Sequence, residues 1–303
     1  MKFKVNPQDY SQTYLENLNI CFPNWGDMKT FDWVFNRKVT NKKADFFIIN
    51  SEENELLAGS AISYRKLKFP SGNDHEIGIM TGSWTLPISR GMGCFTETIK
   101  KSVEIVQDKE VPFLTAFVTE SNASYRRLRD AGSFLVDTNY IISQNLETKK
   151  QLNQIEVAVL ECNNENLEAV FNLRNKLLQS KIHYDYNFDE FVNQFINRIN
   201  PTFLIQLGNE FAIVEETPKM FQLHYCTSYS YETITGIMNW VNNKNKEIIF
   251  FSTDKNHPFQ NDESFKVIPG FFTILKNEVS NNIDLNSVFS SEIDFDIQYG
   301  DKM

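Results

Sequence analysis

One segment constrains the fold of this chain more than any other, because it joins a strand to a helix through a loop with two glycines. The apolar pattern of residues 76–86 predicts a strand, and Pro87 ends it. The loop Arg90-Gly91-Met92-Gly93 leads directly into a predicted helix over residues 92–108. The apolar residues at helical spacing in this helix are Phe95, Ile99, Val103 and Val106.

The loop has the properties of an anion-binding site. Gly91 and Gly93 let the backbone approach a ligand closely, and the first amides of the helix have no partner within it. Those amides and the helix dipole suit a phosphate or pyrophosphate, and Thr96 adds a hydroxyl group. The segment is neither a P-loop, since no Gly-Lys-Ser/Thr follows, nor a Gly-x-Gly-x-x-Gly motif.

Around this segment, predicted elements occur twice in the same order. In the first half, strands are predicted at 2–5, 44–50, 56–69, 76–86, 113–119 and 134–143, and helices at 7–20, 28–37, 92–108 and 122–131. In the second half, strands are predicted at 156–160, 202–207, 210–215, 220–227, 247–252 and 267–275, and helices at 166–179, 188–199 and 231–241. The polar segment 147–155 is the predicted linker. We therefore predict two domains, 1–146 and 155–303, that are copies of one α+β or α/β unit.

Composition limits the partners of the chain. Its 303 residues include 30 Lys and Arg against 39 Asp and Glu, a net charge of −9, which argues against a nucleic-acid or anionic-membrane binder. The sequence has no apolar run long enough to span a membrane and no secretory signal. The four cysteines, Cys21, Cys94, Cys162 and Cys226, are spread singly, without metal-ligand spacing. We expect a cytoplasmic, metal-free protein without a disulfide framework.

The loop resembles the coenzyme-binding loop of the GNAT acyltransferase superfamily, whose members use acyl-coenzyme A. That loop has the form Gln/Arg-x-x-Gly-x-Gly/Ala, and Arg90 and Gly93 match it, with Gly91 giving an Arg-Gly-x-Gly form. Phe95 stands where the family has a small residue. A second stretch, residues 122–134, resembles the family's Asn…Leu-Tyr…Gly-Phe segment, in which a helix lies along the coenzyme.

The resemblance covers about residues 1–145 and implies a fold, a cosubstrate and a set of binding residues. The implied fold is α/β (α+β), with two tandem units that each have a mixed, mostly antiparallel sheet flanked by helices. The implied cosubstrate is acetyl-coenzyme A, without a metal. The residues implied to contact it are Ser83, Trp84, Thr85, Arg90, Gly91, Met92, Gly93, Cys94, Phe95, Thr96, Asn122 and Tyr125. In the second half, residues 226–231 stand at the place of the loop without a glycine, which implies a degenerate copy.

Two residues are candidates for catalysis in such a family member. Arg129 stands where many members carry the tyrosine that protonates the departing thiolate, so Tyr125, one helical turn earlier, is the candidate acid; otherwise it is an aromatic on a helix face. Glu76 is the acidic residue of the strand and the candidate base, or else a solvated residue at a strand start. Cys94 lies at a helix N-terminus, where thiol pKa values fall, but a packing role is favoured.

Three functions remain open at this stage. The first is transfer of an acetyl or other acyl group from coenzyme A to a small amine by a monomer or homodimer. The pattern resembles bacterial acyltransferases encoded with surface-polysaccharide genes, so an amino sugar is the first acceptor to consider. The second is a non-catalytic protein that keeps the fold and binds or regulates. The third is a glycosyltransferase whose Asp294 and Asp296 would hold a metal ion.

Overall fold

A computed structural model describes residues 1–144, 156–244, 246–254, 257–289 and 294–302. The contacts of the chain divide it into two compact units. Unit 1 consists of Met1–Leu67, Asp74–Val136 and Phe271–Ser290. Unit 2 consists of Lys68–Asn73, Asp137–Gly270 and Ser291–Met303. Over the described ranges, every helix is too short or too polar to cross a bilayer.

Residues 1–144 form six strands and four α-helices. The strands are β1 (Lys2–Val5), β2 (Asp45–Asn50), β3 (Leu56–Lys68), β4 (Asp74–Thr85), β5 (Phe113–Thr119) and β6 (Phe134–Ser143). The helices are α1 (Ser11–Cys21), α2 (Met28–Asn36), α3 (Cys94–Asp108) and α4 (Ala123–Asp130). A short 3-10 turn, Pro87–Ser89, follows β4.

The second half adds seven strands and four helices among its described residues. The strands are β7 (Val157–Leu160), β8 (His183–Asp185), β9 (Thr202–Leu207), β10 (Glu210–Glu216), β11 (Phe221–Cys226), β12 (Ile248–Ser252) and β13 (Phe265–Lys276). The helices are α5 (Asn164–Leu177), α6 (Phe188–Phe195), α7 (Tyr231–Asn242) and α8 (Leu285–Val288). The sequence patterns predicted neither β8 nor α8, because three or four residues are too few to display a period.

Each unit contains a mostly antiparallel sheet, and in each a parallel pair joins the strand before a helix to the strand after it. In unit 1 the strand order is β1-β2-β3-β4-β5-β13, and β4 pairs with β5 in parallel. In unit 2 the order is β7-β9-β10-β11-β12-β6, and β11 pairs with β12 in parallel. The pairs β1/β2, β2/β3, β7/β9, β9/β10, β10/β11 and β12/β6 are antiparallel. The predicted class, α+β with a mostly antiparallel sheet flanked by helices, is confirmed.

Helix α3 is held in place by the apolar side chains whose spacing predicted it. Ile99 and Val106 are buried in the apolar core of unit 1, and Phe95 and Val103 pack partly buried against the same cluster. A second cluster in unit 1 gathers aromatic rings from α1, α2 and β4, among them Tyr14, whose ring meets that of Trp84 edge-on at 5.6 Å. Burial of such side chains contributes roughly 1.5–3 kcal/mol each. These clusters hold β4 and α3 in fixed positions.

One part of unit 1 comes from the far end of the sequence. The sequence prediction assigned every residue after 155 to the second domain, whereas contacts assign Phe271–Ser290 to unit 1. There the Thr273 hydroxyl donates to the Ala116 carbonyl at 3.2 Å, and the Asn277 side-chain amide donates to the Val111 carbonyl at 2.7 Å. The predicted linker, 147–155, lies outside the described residues.

Candidate functional site

The central feature of unit 1 is a cleft that opens where β4 and β5 stop pairing. Their register pairs are Ile77 with Phe113, Gly78 with Leu114 and Ile79 with Thr115. Beyond these pairs, residues 80–85 of β4 and 116–118 of β5 line a cavity of about 510 Å³. The rest of the lining is Cys21, Phe22, residues 89–91, 93–96 and 122–124, Arg127 and Leu128. This unit 1 cleft therefore has strand edges as walls and the beginnings of α3 and α4 at its rim.

A glycine in the interior of β4 fixes the shape of one wall. Gly82 has a φ of +54°, the left-handed region that suits glycine, as at a β-bulge. The Tyr14 hydroxyl donates to the Gly82 carbonyl at 2.8 Å, so α1 fixes the strand at this point. A Cβ added there would lie 2.7 Å from the ring of Phe35 on α2. Any larger residue would therefore collide with the Phe35 ring.

The glycine loop exposes its backbone and leaves the start of α3 uncapped. Gly91 and Gly93 have φ values of +85° and +81°, and a Cβ at either position would meet no atom within 4 Å. Gly93 is the N-cap of α3 and provides no side-chain cap. The first main-chain bond into the helix joins Glu97 N to Gly93 O at 3.2 Å, so the amides of residues 94–96 precede it. Such amides favour an anion.

The cations of the lining sit beside this loop and on α4. Arg90 and Arg127 both line the cleft and are exposed. Of the neighbouring arginines, Arg129 instead pairs with Asp130 at 3.1 Å, and neither Arg126 nor Arg129 belongs to the lining. The cleft thus combines free amides with two guanidinium groups, an arrangement that suits phosphate oxygens.

Most of the residues predicted to contact a coenzyme lie together in the cleft. Ten line it: Ser83, Trp84, Thr85, Arg90, Gly91, Gly93, Cys94, Phe95, Thr96 and Asn122. The Asn122 side chain also caps α4, accepting from the Ser124 amide at 3.1 Å. Met92 and Tyr125 are outside the lining, and the Met92 side chain is instead 54% exposed.

The two predicted catalytic residues are not brought to the cleft. Glu76 lies on β4 directly before the residues that pair with β5, and its carboxylate accepts from the Lys42 ammonium at 2.5 Å. Tyr125 lies on a face of α4 that packs against Phe271, with the two rings stacked 4.5 Å apart. Neither residue belongs to the cleft lining: Glu76 precedes the point where the strands diverge, and the Tyr125 ring packs on Phe271.

The thiols near the loop are not activated. Cys94 is buried, and burial raises the pKa of its thiol although it begins a helix. Cys21, which sequence reasoning missed, lines the cleft and donates from Sγ to the Thr85 carbonyl at 3.3 Å. Burial also raises the pKa of Cys21. Both therefore act as packing or hydrogen-bonding groups.

Sequence reasoning also missed Ser89. This residue is buried and lines the cleft, and within the described part of the chain its Oγ has no hydrogen-bond partner. A buried hydroxyl without a partner costs free energy unless a ligand or water pairs with it. The position of Ser89 between Pro87 and the glycine loop is the sequence feature that could have indicated its place in the cleft.

Asp294 and Asp296, the pair that the alternative glycosyltransferase function would require, differ in their surroundings. Asp296 accepts from the Lys181 ammonium at 3.0 Å and from the Gln298 side chain at 2.9 Å, and Asp294 is exposed. Throughout the described ranges, His, Cys, Asp and Glu side chains form no group of three or more that fits a metal ion.

The fold, compared with known proteins, is similar to that of acyltransferases. No family model matches the sequence, and no curated protein sequence is similar to it. A probable N-acyltransferase from Enterococcus faecalis V583 superposes with a TM-score of 0.62 at 9% identity, over 91% of this chain and 72% of that one. A GCN5-related N-acetyltransferase from Kribbella flavida gives 0.61 at 14% identity, over 90% and 70%.

A third solved structure has a bound ligand. N-myristoyltransferase of Saccharomyces cerevisiae, solved with myristoyl-CoA, gives a TM-score of 0.61 at 11% identity, over 90% of this chain and 79% of that one. At such identities the likeness concerns the fold. The protein therefore has the fold of the GCN5-related N-acetyltransferases.

Proposed function

We propose that unit 1 binds acyl-coenzyme A in its cleft and transfers the acyl group to an amine. One observation carries this proposal: three features meet at a single cavity. They are the separated ends of β4 and β5, the uncapped start of α3, and the cations Arg90 and Arg127. The fold likeness to N-acetyltransferases supports the reaction type.

Each group of the lining has a place in this reaction. The amides of residues 94–96 and Arg90 would hold the pyrophosphate, because they offer hydrogen bonds and positive charge outside the helix. The edge of β4 over residues 80–85 would hold the amide-bearing arm and offer an amide to the thioester carbonyl. A donor aimed at that oxygen stabilises the negative charge that develops when an amine attacks. The carbon–sulfur bond then breaks, and the departing thiolate takes up the proton that the attacking amine loses.

The acceptor that we propose is a small amine, and an amino sugar of a surface polysaccharide is the first to test. A second function is favoured by the positions of Glu76 and Tyr125, which lie outside the lining. A protein with this cleft and without those groups would bind the coenzyme and not turn it over.

Calorimetric titration with acetyl-coenzyme A tests the proposal, with release of free thiol across a panel of amines as the second measurement. We expect binding together with turnover on at least one amine. Binding without turnover would support the second function, and absence of binding by the folded protein would exclude both. Tyr125→Phe is expected to leave turnover within about twofold, because the hydroxyl lies outside the cleft.

A further inference from the structure

Unit 2 contains the same divergence of parallel strands as unit 1. The strands β11 and β12 pair at Phe221 with Ile248 and at Gln222 with Ile249. Both continue beyond these pairs, β11 to Cys226 and β12 to Ser252, and α7 follows β11 as α3 follows β4. The end of β11, the end of β12 and the loop before α7 are therefore the three walls that correspond to those of the unit 1 cleft.

Residues 294–302, the C-terminal segment, contact all three of these walls. The Gln298 side-chain amide accepts from the Cys226 main-chain amide at 2.7 Å and donates to the carbonyl of the same residue at 3.0 Å. The Thr253 hydroxyl, just after β12, donates to the Phe295 carbonyl. The Tyr229 hydroxyl, in the loop before α7, donates to Gln298 Oε1 at 3.0 Å.

The segment is buried and tightly fitted rather than laid over the surface. Ile297 and Gln298 are 1% and 4% exposed. A Cβ added at Gly300 would lie 2.6 Å from the Phe195 ring and 2.8 Å from the His224 carbonyl oxygen. The Lys302 ammonium lies over the Tyr140 ring, 3.9 Å from its centroid. Steric fit and hydrogen bonds therefore both hold the segment in place.

The Gln298 contact has the form of a bound amide ligand. Its side chain donates to and accepts from the main chain of one residue, as a neighbouring strand or an amide-bearing ligand does at an open strand edge. We propose that the C-terminal segment is a built-in occupant of the unit 2 cleft, so that the chain keeps a single cleft for coenzyme. The proposal about coenzyme number rests on the proposed function, whereas the occupancy itself does not.

Amide hydrogen exchange, measured residue by residue on the full chain, tests the occupancy. Gln298→Ala removes the partner of the Cys226 amide, and we expect exchange at that amide to accelerate about tenfold, as loss of one buried hydrogen bond predicts. Gly300→Val should accelerate it further, because the valine cannot fit beside Phe195. Asp294→Ala is the matched control, since this exposed residue lies in the same segment, and exchange should not change.

Unchanged exchange at Cys226 in folded Gln298→Ala would overturn the proposal, and Gln298→Ala decides the matter should Gly300→Val fail to fold. Titration of the wild type with acetyl-coenzyme A gives the second readout, with one equivalent expected per chain. Two equivalents would overturn the proposal. Absence of any binding would count against the proposed function alone, since exchange at Cys226 reports the occupancy without coenzyme.

Discussion

The ends of β4 and β11 are alike in their buried penultimate residue, but the helices that follow them are capped differently. Their penultimate residues, Trp84 and Tyr225, are both 2% exposed, and a helix follows each strand. In unit 1 the helix has Gly93 as its N-cap and no side-chain cap. In unit 2 the Ser230 side chain caps α7 by accepting from the Thr233 amide at 3.2 Å. An amide that pairs with a serine side chain is no longer available to a ligand. The start of α3 can therefore offer a ligand an amide that the start of α7 cannot.

The same fold therefore gives two different environments at the ends of these strands. Where glycines leave amides and strand edges unpaired, the structure retains space that a ligand can fill. Where serine and the C-terminal segment satisfy the same kinds of groups, that space becomes core.

The largest effect concerns the buried charges of unit 2. Burial acts to raise the pKa of Glu215, but the hydrogen bond from His224 and the charge of Arg198 outweigh it and lower that pKa to about 2. A folded pKa below the unfolded one stabilises the protein above pH about 4.5, and this stabilisation is lost as pH falls towards 2. We expect a loss on the order of 3 kcal/mol in the free energy of unfolding over that range.

Denaturant unfolding at several pH values measures this effect. Glu215→Gln should be less stable than the wild type at neutral pH, because the buried Arg198 guanidinium loses its partner at 2.7 Å, and its stability should depend less on acid. An equal acid dependence in both proteins would mean that other carboxyl groups dominate.

The second effect concerns the glycine loop of unit 1. In Gly93→Val the added side chain would occupy the open space through which a ligand reaches the helix start, and we expect coenzyme affinity to fall about thirtyfold. Gly132→Val is the matched control, because Gly132 has a φ of +89° and equally open surroundings but does not line the cleft.

Both variants carry the same backbone strain, roughly 1–3 kcal/mol. Thermal unfolding should therefore move by a similar amount in the two proteins, whereas calorimetry should separate them. Equal affinity in Gly93→Val and Gly132→Val would place the phosphates elsewhere.

The smallest effect concerns the arginines of α4. Arg127 lines the cleft and Arg126, its neighbour, does not, although both are exposed. Arg127→Ala should weaken coenzyme binding about fivefold at low salt, and less at high salt because exposed charges are screened. Arg126→Ala should leave affinity unchanged. A larger loss in Arg126→Ala would show that the coenzyme runs along another face of the helix.

Periodicity predicted nearly every long element of the fold, and the anion loop followed from residue type alone. The sequence pattern could not show where β4 separates from β5. That position decides that Glu76 lies before the paired residues, outside the cleft, and that Ser83 lines the cleft. The position of the Tyr125 ring could not be predicted either, because its packing partner, Phe271, is distant in sequence. In residues 294–302 the sequence showed only an Asp-Phe-Asp pattern. The role of Gln298 could not be predicted, because it depends on a tertiary hydrogen bond with the Cys226 amide.

The assignment of Phe271–Ser290 to unit 1 has a consequence for synthesis of the protein. Domains generally fold from the N-terminus as they emerge from the ribosome. Here β5 lacks its neighbour β13 until almost the entire chain has emerged, so the nascent first half presents an unpaired strand edge meanwhile. We therefore expect a fragment of residues 1–146 to associate or aggregate when expressed alone.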